Sequence, residues 1–452
     1  MAHSQKSIRD HTRPRNQPNI DNKVIAQQLE DLVKPCVYNQ LAYYRSLDMR
    51  SRILSLPLML AVVLSLLWRQ VPSVTELNRM LARENLLWAK AVKVSQQALS
   101  QRFLTFPASL FQRVLKDLLV LLNQRWQQRN RESPVSVKRA RKYFERLWIV
   151  DASTLEALFR KLKSLETVPL GQLGGRICAV VDLETRFPVE TWFKSNPYTH
   201  ESNFVPNLLE LIPAKTLLIL DRGFWNFRFF EELIKGKSDF ITRLKGKAKY
   251  KSVRTLSHSG QHHDQLIRLG TGYQGNPILN LRLVEVKHGS TWYRYLTSVI
   301  EPEVLPPYVV ADLYARRWRI EETFLTLKRL LGLSYLWTGS VNGIQLQLWA
   351  TWLFYVVLID LSDQVAKAKG HATRTELSIP MECISVEMVF RGLYHFGVAY
   401  HQGKATDPVA YLTAKENQDL GVVKAPRTRI KKPPLDLSPF PNSEGLTNCS
   451  FA

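Results

Sequence analysis

The stretch LWIVD at residues 147–151 begins a region of short apolar runs. ICAVV (177–181) precedes Asp182, PVETWF spans 188–193, TLLIL (216–220) precedes Asp221, and DFITRL spans 239–244. Short runs of this kind, rich in β-branched residues and separated by turn residues, predict strands. The segments 201–212 and 224–234 have helical patterns instead. The region therefore reads as three strands, a helix, a strand, a helix and a strand.

This order is that of an RNase H-like α/β domain, which a further helix should close. Residues 245–307 delay that helix, because they alternate like strands and are punctuated by glycines. The expected helix, YARRWRIEETFLTLKRLLG, follows from about Pro307 and ends near Gly332. The predicted fold class is α/β: an RNase H-like catalytic core at 147–361 with a β-rich insertion at 245–307, an all-α N-terminal domain and a helical C-terminal region.

The flanking regions are predicted from weaker signals. Residues 1–20 resemble a basic arm, and 21–146 a helical DNA-binding domain with a capping box at Ser73-x-x-Glu76. A second short helix from Ser95 would present Gln96, Gln97, Gln101 and Arg102, as in a helix-turn-helix, although an ordinary helical bundle fits equally well. Residues 343–361 predict a buried helix, 362–414 a helical C-terminal region, and 415–452 a disordered basic tail.

The charge of the chain points to a polyanionic partner. Its 452 residues contain 62 Lys+Arg and 39 Asp+Glu, so the net charge is 62 − 39 = +23. Residues 1–150 hold 25 basic and 10 acidic residues, which places 25 − 10 = +15 before the predicted core. The 45% hydrophobic content excludes disordered and fibrous classes. The basic run at 123–146 is either a solvated face or a phosphate-binding segment.

Cysteine spacing and hydropathy indicate the cellular compartment of the protein. Four scattered cysteines without a CxxC pair argue against a zinc ribbon or a disulfide framework. The longest apolar run, Ile53 to Trp68, contains Pro57 and is shorter than the roughly 18–20 residues of a membrane span. A buried helix is therefore expected there. Together with an N-terminus unlike a secretory signal, this predicts a cytoplasmic protein.

Two strand-end aspartates suggest phosphodiester chemistry. That chemistry uses two divalent ions about 3.5–4 Å apart, held by carboxylates rather than by His or Cys. Asp151 and Asp221 each follow an apolar strand, where neighbouring strands present side chains at one sheet edge. A third carboxylate from the closing helix would complete the ligand set.

The closing helix offers that carboxylate on a polar stripe. Tyr314, Arg317, Glu321 and Lys328 are spaced i, i+3, i+7 and i+14, so they fall within roughly a 60° arc of a helix. An aromatic ring, two cations and a carboxylate suit a helix laid against a phosphate backbone. Glu322 lies about 100° away. Asp182 also ends a strand, but no comparable motif surrounds it.

The pattern Tyr-x2-Arg-x3-Glu-x6-Lys, with VDAST around Asp151 and DRGF around Asp221, resembles the DDE transposases of bacterial insertion sequences, specifically the IS-four family. The resemblance covers roughly residues 147–361. It implies that Asp151, Asp221 and Glu321 are the catalytic residues and the ligands of two Mg²⁺ ions, for which Mn²⁺ can substitute. It also implies that the protein binds terminal inverted repeats, cleaves DNA and transfers strands, as a homodimer acting on element ends and target DNA, with no membrane partner.

Members with a β insertion are associated with a hairpin intermediate at the element end. An aromatic side chain that stacks on an unpaired base would assist it, and the resemblance makes Trp292 and Tyr293 the candidates. The two point to opposite faces of a predicted strand, and the sequence does not choose between them. Tyr314, Arg317, Lys328, Arg222 and Arg243 are the other predicted DNA contacts.

Two further patterns carry no function. GTGYQG at 270–275 fits a dinucleotide motif, but Asn276-Pro277 stand where its helix should begin. His258, His262 and His263 lack helical metal-ligand spacing and predict a solvated loop.

The functional alternatives are a catalytically silent DNA-binding derivative of a transposase and a peripheral membrane protein that uses Ile53 to Trp68.

Overall fold

The computed structural model describes residues 22–49, 53–155, 175–270, 275–333, 336–337, 340–372 and 379–424. The predicted basic arm at 1–20 lies outside these residues. Within them, the helices that precede the sheet are α1 (Lys23–Asn39), α2 (Leu41–Ser46), α3 (Leu56–Trp68), α4 (Val74–Leu81), α5 (Gln96–Thr105), α6 (Ala108–Gln127) and α7 (Val135–Ala140).

Side-chain caps fix two of these helices where the sequence predicts them. The Ser73 hydroxyl accepts a hydrogen bond from the Glu76 backbone N–H at 3.1 Å, which begins α4. Ser95 accepts one from the Ala98 N–H at 3.1 Å, which begins α5. Each cap satisfies one backbone donor that the first turn of a helix leaves unpaired. Both predicted helix starts are confirmed.

The apolar run forms helix α3 from Leu56 onward, and every residue of that helix except Pro57 is buried, while Ile53 before it is 48% exposed. Only one described helix, Val341–Gly370, is long and apolar enough to cross a membrane, and 94% of its apolar window is buried inside the protein. Core helices of ordinary proteins pass the same length and hydropathy test. The interpretation of the 53–68 run as a buried helix is confirmed.

A single large mixed sheet forms the centre of the described chain. Its strands are β1 (Arg146–Thr154), β2 (Arg176–Asp182), β3 (Pro188–Lys194), β4 (Thr216–Leu220), β5 (Asp239–Arg243), β6 (Tyr250–His258), β7 (His262–Leu269), β8 (Leu279–His288) and β9 (Thr291–Thr297). The spatial order is β3-β2-β1-β4-β5-β9-β8-β7-β6. β1, β4 and β5 are parallel, β2 pairs antiparallel with β1, and β3 pairs antiparallel with β2. Helices α8 (Val205–Leu211) and α9 (Phe227–Lys235) connect the parallel strands.

The strands after residue 245 extend this sheet and do not form a separate one. β9 pairs antiparallel with β5, and β8, β7 and β6 follow outward as antiparallel neighbours. The predicted β-rich segment is therefore confirmed as strands. Its hydrogen bonding to β5 makes the insertion continuous with the rest of the sheet.

The aspartate of the first strand is placed differently from the prediction. β1 continues past Asp151 to Thr154, because its last residues pair with β2 through Thr154 and Arg176. Asp151 therefore lies inside the strand, whereas Asp221 directly follows β4 as predicted. The polar run DAST remains extended because β2 supplies backbone partners for it.

The closing helix is interrupted rather than continuous. It consists of α10 (Pro307–Ala315), α11 (Trp318–Leu325) and a π-helical turn at Thr326–Leu330. The Arg317 and Arg319 N–H groups bond three residues back, which tightens the backbone between α10 and α11. The hydroxyls of Thr323 and Thr326 bond the carbonyls four residues earlier, a contact that competes with regular helix bonding.

Helix α12 (Val341–Ala372) is the element around which the other helices pack, since it contacts α3, α5, α6, α13 (Val386–His401) and α14 (Pro408–Thr413). The predicted domain limit at Leu361 falls inside this helix. One hydrophobic core joins the N-terminal helices, α12 and one face of the sheet, and a second core covers the other face. The N-terminal helices, α12 and one face of the sheet therefore share a core.

Buried ion pairs account for part of the basic run at 123–146. Asp363 is fully buried and receives two hydrogen bonds from Arg131, at 2.6 and 3.0 Å, and one from Arg129. Asp360, 2% exposed, pairs with Arg129 at 2.9 Å and Arg125 at 3.0 Å. These three arginines anchor the end of α6 to α12. Because these arginines pair with Asp360 and Asp363 inside the protein, they form neither a solvated face nor a phosphate-binding segment.

The C-terminal residues depart from the predicted disordered tail up to residue 424. Lys415–Leu420 form a 3-10 turn, and Val423 makes a β-bridge to Ile384. The Ser385 N–H also bonds the Val422 carbonyl at 2.8 Å, so backbone pairing fixes this segment. The rest of the predicted tail lies outside the described residues.

Removal of the Asp363 carboxylate should destabilise the fold. Asp363→Ala leaves Arg131 without its counter-charge and Arg129 with Asp360 alone, and the loss of a buried partner typically costs about 3–5 kcal/mol. Urea denaturation followed by tryptophan fluorescence measures the change. Lys235→Ala, which removes exposed pairs with Glu231 and Glu232, is the control and should leave the transition unchanged. Equal midpoints for both variants would contradict the anchoring role of Asp363.

Candidate active site

The sheet places two aspartates side by side. Val150 of β1 is paired with Leu220 of β4 in parallel register, so the residues that follow them, Asp151 and Asp221, lie next to each other. The Asp151 carboxylate accepts a hydrogen bond from the Ala152 N–H at 2.7 Å. Asp221 accepts one from the Gly223 N–H at 3.0 Å, within the 3-10 turn Arg222–Phe224. These contacts hold both carboxylates at the edge of the sheet.

Arg317 joins these aspartates to the closing helix. Its Nη1 lies 3.0 Å from Asp151 Oδ2 and 3.5 Å from Asp221 Oδ1. Its Nη2 donates to Glu321 Oε1 at 2.6 Å. One guanidinium thus contacts carboxylates from β1, from the turn after β4 and from α11.

Burial and mutual repulsion shape the electrostatics of this cluster. Burial raises the pKa of Asp151 to about 7, Arg317 opposes the rise, and the negative charges of Asp221 and Glu321 add to it. The Asp151 and Arg317 side chains are 14% and 12% exposed, whereas those of Asp221 and Glu321 are 34% and 33% exposed. The cluster is therefore half-open, with Asp151 at its base. Three acids share one cation, and this excess negative charge favours further cations.

The other members of the stripe lie on the same side of the helix. Tyr314 is 8% exposed, packs against Tyr295 with ring centroids 5.4 Å apart, and lies 5.8 Å from the Arg317 guanidinium carbon. Lys328 donates a hydrogen bond to Ser153, two residues beyond Asp151. Burial lowers the pKa of Lys328 to about 8, and Arg176 contributes to the decrease. Despite the break between α10 and α11, Tyr314, Arg317, Glu321 and Lys328 still lie on one side of the closing helix, as predicted.

The two rival carboxylates lie elsewhere. Glu322 accepts from Lys424 through both oxygens at 3.2 Å, on another side of α11. Asp182 accepts the Glu184 and Thr185 N–H groups at 3.0 and 2.9 Å. Its strand partner is Trp148, near the opposite end of β1 from Asp151. Asp182 is thus a turn residue away from the cluster.

The predicted DNA contacts from the sheet separate into two groups. Tyr293 packs against the same core as Tyr295 and Tyr314, and its ring centroid is 5.3 Å from the Arg243 guanidinium carbon. Trp292 points to the other face and is 43% exposed. Arg222 is exposed in the turn after Asp221. The structure therefore brings Tyr293 and Arg243, but not Trp292, to the face that carries Asp151.

Arg176 and Glu201 are neighbours of the site that sequence reasoning missed. Arg176 donates to Glu201 and, at 3.2 Å, to the Thr154 hydroxyl at the end of β1. Glu201 packs so closely on Gly223 that a Cβ there would lie 2.8 Å from its Cδ. The pair therefore supports the turn that holds Asp221. Only the register of β1 against β2 reveals this contact, and the sequence does not contain that register.

The side chains of the carboxylate cluster have the donor atoms that a divalent ion requires. Asp151, Asp221 and Glu321 supply hard carboxylate oxygens, the ligand type that Mg²⁺ and Mn²⁺ prefer. Among the described residues no group of three His, Cys, Asp or Glu side chains has metal-binding geometry as it stands, and Arg317 is the cation that the three carboxylates share. The donor chemistry fits the ion, with Arg317 in competition for the same oxygens.

The histidines of the insertion are engaged differently. His262 bonds Ser257 at 3.0 Å and Ser259 at 2.9 Å, and His263 bonds Glu285 at 3.0 Å. They are the first two residues of β7 rather than part of an irregular loop. The bonds of His262 lie within the β6–β7 hairpin, and that of His263 joins β7 to β8.

Part of the chain is similar to known transposases. Residues 142–357 match the family model of the transposase DDE domain. The putative transposase for insertion sequence element IS4SA of Synechocystis is 23% identical over 164 residues, covering 35% of this chain and 45% of that protein. The probable transposase for insertion sequence element IS5377 of Geobacillus stearothermophilus is 24% identical over 163 residues, covering 35% and 42%. The putative transposase y4zB of Sinorhizobium fredii is 26% identical over 156 residues, covering 32% and 43%.

Residues 142–357 are thus similar to a transposase DDE domain. The chain is a relative of the DDE transposases of insertion sequences. The matches span less than half the length of each of these curated relatives.

We expect the three carboxylates to bind divalent ions. Calorimetric titration with Mn²⁺ should give a binding signal that Asp151→Asn weakens by more than about tenfold, because the variant loses a charged ligand. Asp31→Asn, an exposed change on α1, is the matched control and should bind like the wild type. Unchanged Mn²⁺ affinity in Asp151→Asn would contradict the assignment.

Proposed function

We propose that this chain is an insertion-sequence transposase of the IS-four family that binds terminal inverted repeats, cleaves DNA and transfers the cut strands by two-metal chemistry. The observation that carries the proposal is the convergence of Asp151, Asp221 and Glu321 on Arg317. Tyr314 and Lys328 complete the Tyr-x2-Arg-x3-Glu-x6-Lys pattern on the same side of the helix. The similarity to named transposases supports it further.

The strand order supports an RNase H-like catalytic core. β3-β2-β1-β4-β5, with β1, β4 and β5 parallel and β2 and β3 antiparallel, matches the three-strand, helix, strand, helix, strand order of the sequence. The insertion then continues the sheet beyond β5, and α11 returns to β1. In this arrangement α11 delivers Glu321 to the two aspartates.

Asp151, Asp221 and Glu321 would hold two Mg²⁺ ions, and Mn²⁺ can substitute because it also prefers oxygen ligands. When bound, the ions activate the attacking oxygen and stabilise the leaving oxygen of the phosphodiester. Arg317 would pass from the carboxylates to a DNA phosphate, for which its planar guanidinium is suited. Lys328 and Arg222 would hold neighbouring phosphates, while Tyr314 would contact sugar or phosphate.

DNA would be bound by more than the catalytic face. In the helix-turn-helix interpretation of α4 and α5, Gln96 is hydrogen-bonded to Thr75 at 2.8 Å and Arg102 to the Leu54 carbonyl. Gln97 and Gln101, one turn apart and exposed, are therefore the candidates for base contacts. We propose a homodimer on paired element ends, working on the nucleoid in the cytoplasm of a bacterium, with no membrane partner.

Glu321→Gln tests catalysis directly. The purified protein, Mg²⁺ and a duplex that carries the inverted repeats flanking the gene should give nicked or hairpinned ends. Glu321→Gln should reduce cleavage at least about 100-fold, because the amide removes a charged metal ligand. Glu210→Gln, an exposed change on α8, is the control. If Glu321→Gln cleaves like the wild type, the catalytic assignment of Glu321 is wrong. If the wild type binds the ends without cutting, the silent-derivative alternative is correct.

Hairpin formation is part of the same proposal, with Tyr293 as the stacking residue. Tyr293 faces the Asp151 side of the sheet beside Arg243, where an unpaired base from a cleaved end could stack. Tyr293→Ala should lower the yield of hairpin ends about tenfold, in line with the free energy of base stacking. Trp292→Ala, next in sequence but on the other face, should lower it little. Denaturing gels resolve hairpins from nicked ends, and the reverse ranking of the two variants would contradict this choice.

A further inference from the structure

A cluster of charged side chains lies on the side of α11 that faces away from Asp151. It joins the turn between β2 and β3, the helices α10 and α11, and the C-terminal segment. Its cations are Arg186, Arg316, Arg319 and Lys424, and its carboxylates are Asp312, Glu322 and Glu382. Four cations against three carboxylates leave 4 − 3 = +1 in this cluster.

Three of the four cations have carboxylate partners. Arg316 pairs with Asp312 at 2.8 Å and with Glu382. Arg319 also pairs with Glu382 and donates to the Leu183 carbonyl at 2.8 Å. Lys424 pairs with Glu322 at 3.2 Å. The excess positive charge therefore resides on Arg186.

Arg186 is buried without a salt bridge of its own. It is 5% exposed, and its Nε and Nη2 atoms are buried with no hydrogen-bond partner in the described part of the chain. Its charge contributes to lowering the pKa of Glu382, after the charges of Arg316 and Arg319, with which that carboxylate already pairs. Burying a cation without a hydrogen-bonded partner costs several kcal/mol in general, so these guanidinium donors favour an additional anion.

The backbone at Arg186 is also unfavourable for an arginine. Its φ is +62°, in the left-handed region that glycine or asparagine adopts more readily. The turn is fixed by hydrogen bonds of the Arg186 N–H to the Asp182 carbonyl and of the Asp182 N–H to the Phe187 carbonyl, both 3.0 Å. Neither the turn geometry nor a salt bridge explains why residue 186 is an arginine. The remaining explanation is a contact made by its guanidinium group.

The cations around Arg186 converge on it. Burial lowers the pKa of Lys424, and the charge of Arg186 adds to the decrease. Burial, then Arg316 and also Arg186, lower the pKa of Arg319 to about 10. Lys424 and Glu382 have 32% and 35% of their side chains exposed, so solvent reaches the rim of the cluster. An anion could therefore enter from the Lys424 side.

We propose that Arg186, with Lys424 and Arg319, forms a binding site for a phosphate-type oxyanion behind the catalytic helix. A tetrahedral oxyanion offers several acceptors, as needed for guanidinium and ammonium donors that approach from different elements. Two sources share this chemistry, free phosphate and a phosphate of the DNA backbone. Bound there, the anion would tie the β2–β3 turn and the C-terminal segment to α11, the helix that carries Glu321.

Thermal unfolding of the full chain tests the site without any DNA cleavage, and so independently of the proposed function. Sodium phosphate should raise the melting temperature of the wild type by about 1–2 °C over sodium chloride of equal ionic strength. Arg186→Met should be at least as stable as the wild type in chloride, because it removes an uncompensated buried charge. It should gain nothing from phosphate. Arg228→Met, an exposed change on α9, should respond to phosphate like the wild type.

Lys424→Met provides a second variant in case Arg186→Met does not fold. Lys424 lies at the rim, and its replacement should reduce the phosphate-dependent rise by at least half. The site would be overturned by the absence of a phosphate-specific rise in the wild type, by a rise that persists in Arg186→Met, or by an undiminished rise in Lys424→Met.

The salt dependence of duplex binding then separates the two sources. If a DNA phosphate occupies the site, Arg186→Met should reduce the slope of log affinity against log salt by about one. An unchanged slope, together with loss of the phosphate effect on melting, identifies the free oxyanion. A lower slope without any phosphate effect on melting would place Arg186 in DNA binding at a different contact and overturn the proposed oxyanion site.

Discussion

The contact of the Arg317 guanidinium with three carboxylates holds together the centre of the candidate active site. Asp151 comes from the middle of β1, Asp221 from the turn after β4, and Glu321 from α11, which is almost a hundred residues further along the chain. Three mutually repelling acids can be held this close only if a cation compensates them. In the proposed catalytic state metal ions take over that compensation, and Arg317 becomes available to a DNA phosphate.

The remainder of the fold keeps α11 in position. Thr323 of α11 shares a hydrogen bond of 3.0 Å with Tyr355 of α12, and α12 is in turn anchored to α6 through Asp360 and Asp363. The net charge of +23 therefore divides into two parts. Some of its arginines, such as Arg129 and Arg131, are buried and stabilise the helices. Exposed cations such as Arg222 remain for a polyanionic partner.

Much of the sheet and of the catalytic stripe could be predicted from the sequence, because both depend on local periodicity. The strands before Asp151 and Asp221, the caps at Ser73 and Ser95, and the insertion strands follow from hydrophobic patterns and turn residues. Features that depend on pairing between distant segments could not be predicted. β1 extends past Asp151 because β2 supplies partners, and Arg176, Glu201 and Arg186 acquire their environments only when the turns and helices meet. The buried role of Arg129 and Arg131 likewise required acids more than 200 residues away.

The central claim is that the carboxylates now bridged by Arg317 are a two-metal site. The most direct measurement is a crystal structure of the protein with bound element-end DNA and Mn²⁺, with the metals located by anomalous scattering. We expect two Mn²⁺ peaks about 3.5–4 Å apart among Asp151, Asp221 and Glu321. We also expect the Arg317 guanidinium to have moved from the carboxylates to a phosphate. Absence of Mn²⁺ from these carboxylates, with Arg317 still bridging them beside bound DNA, would contradict it.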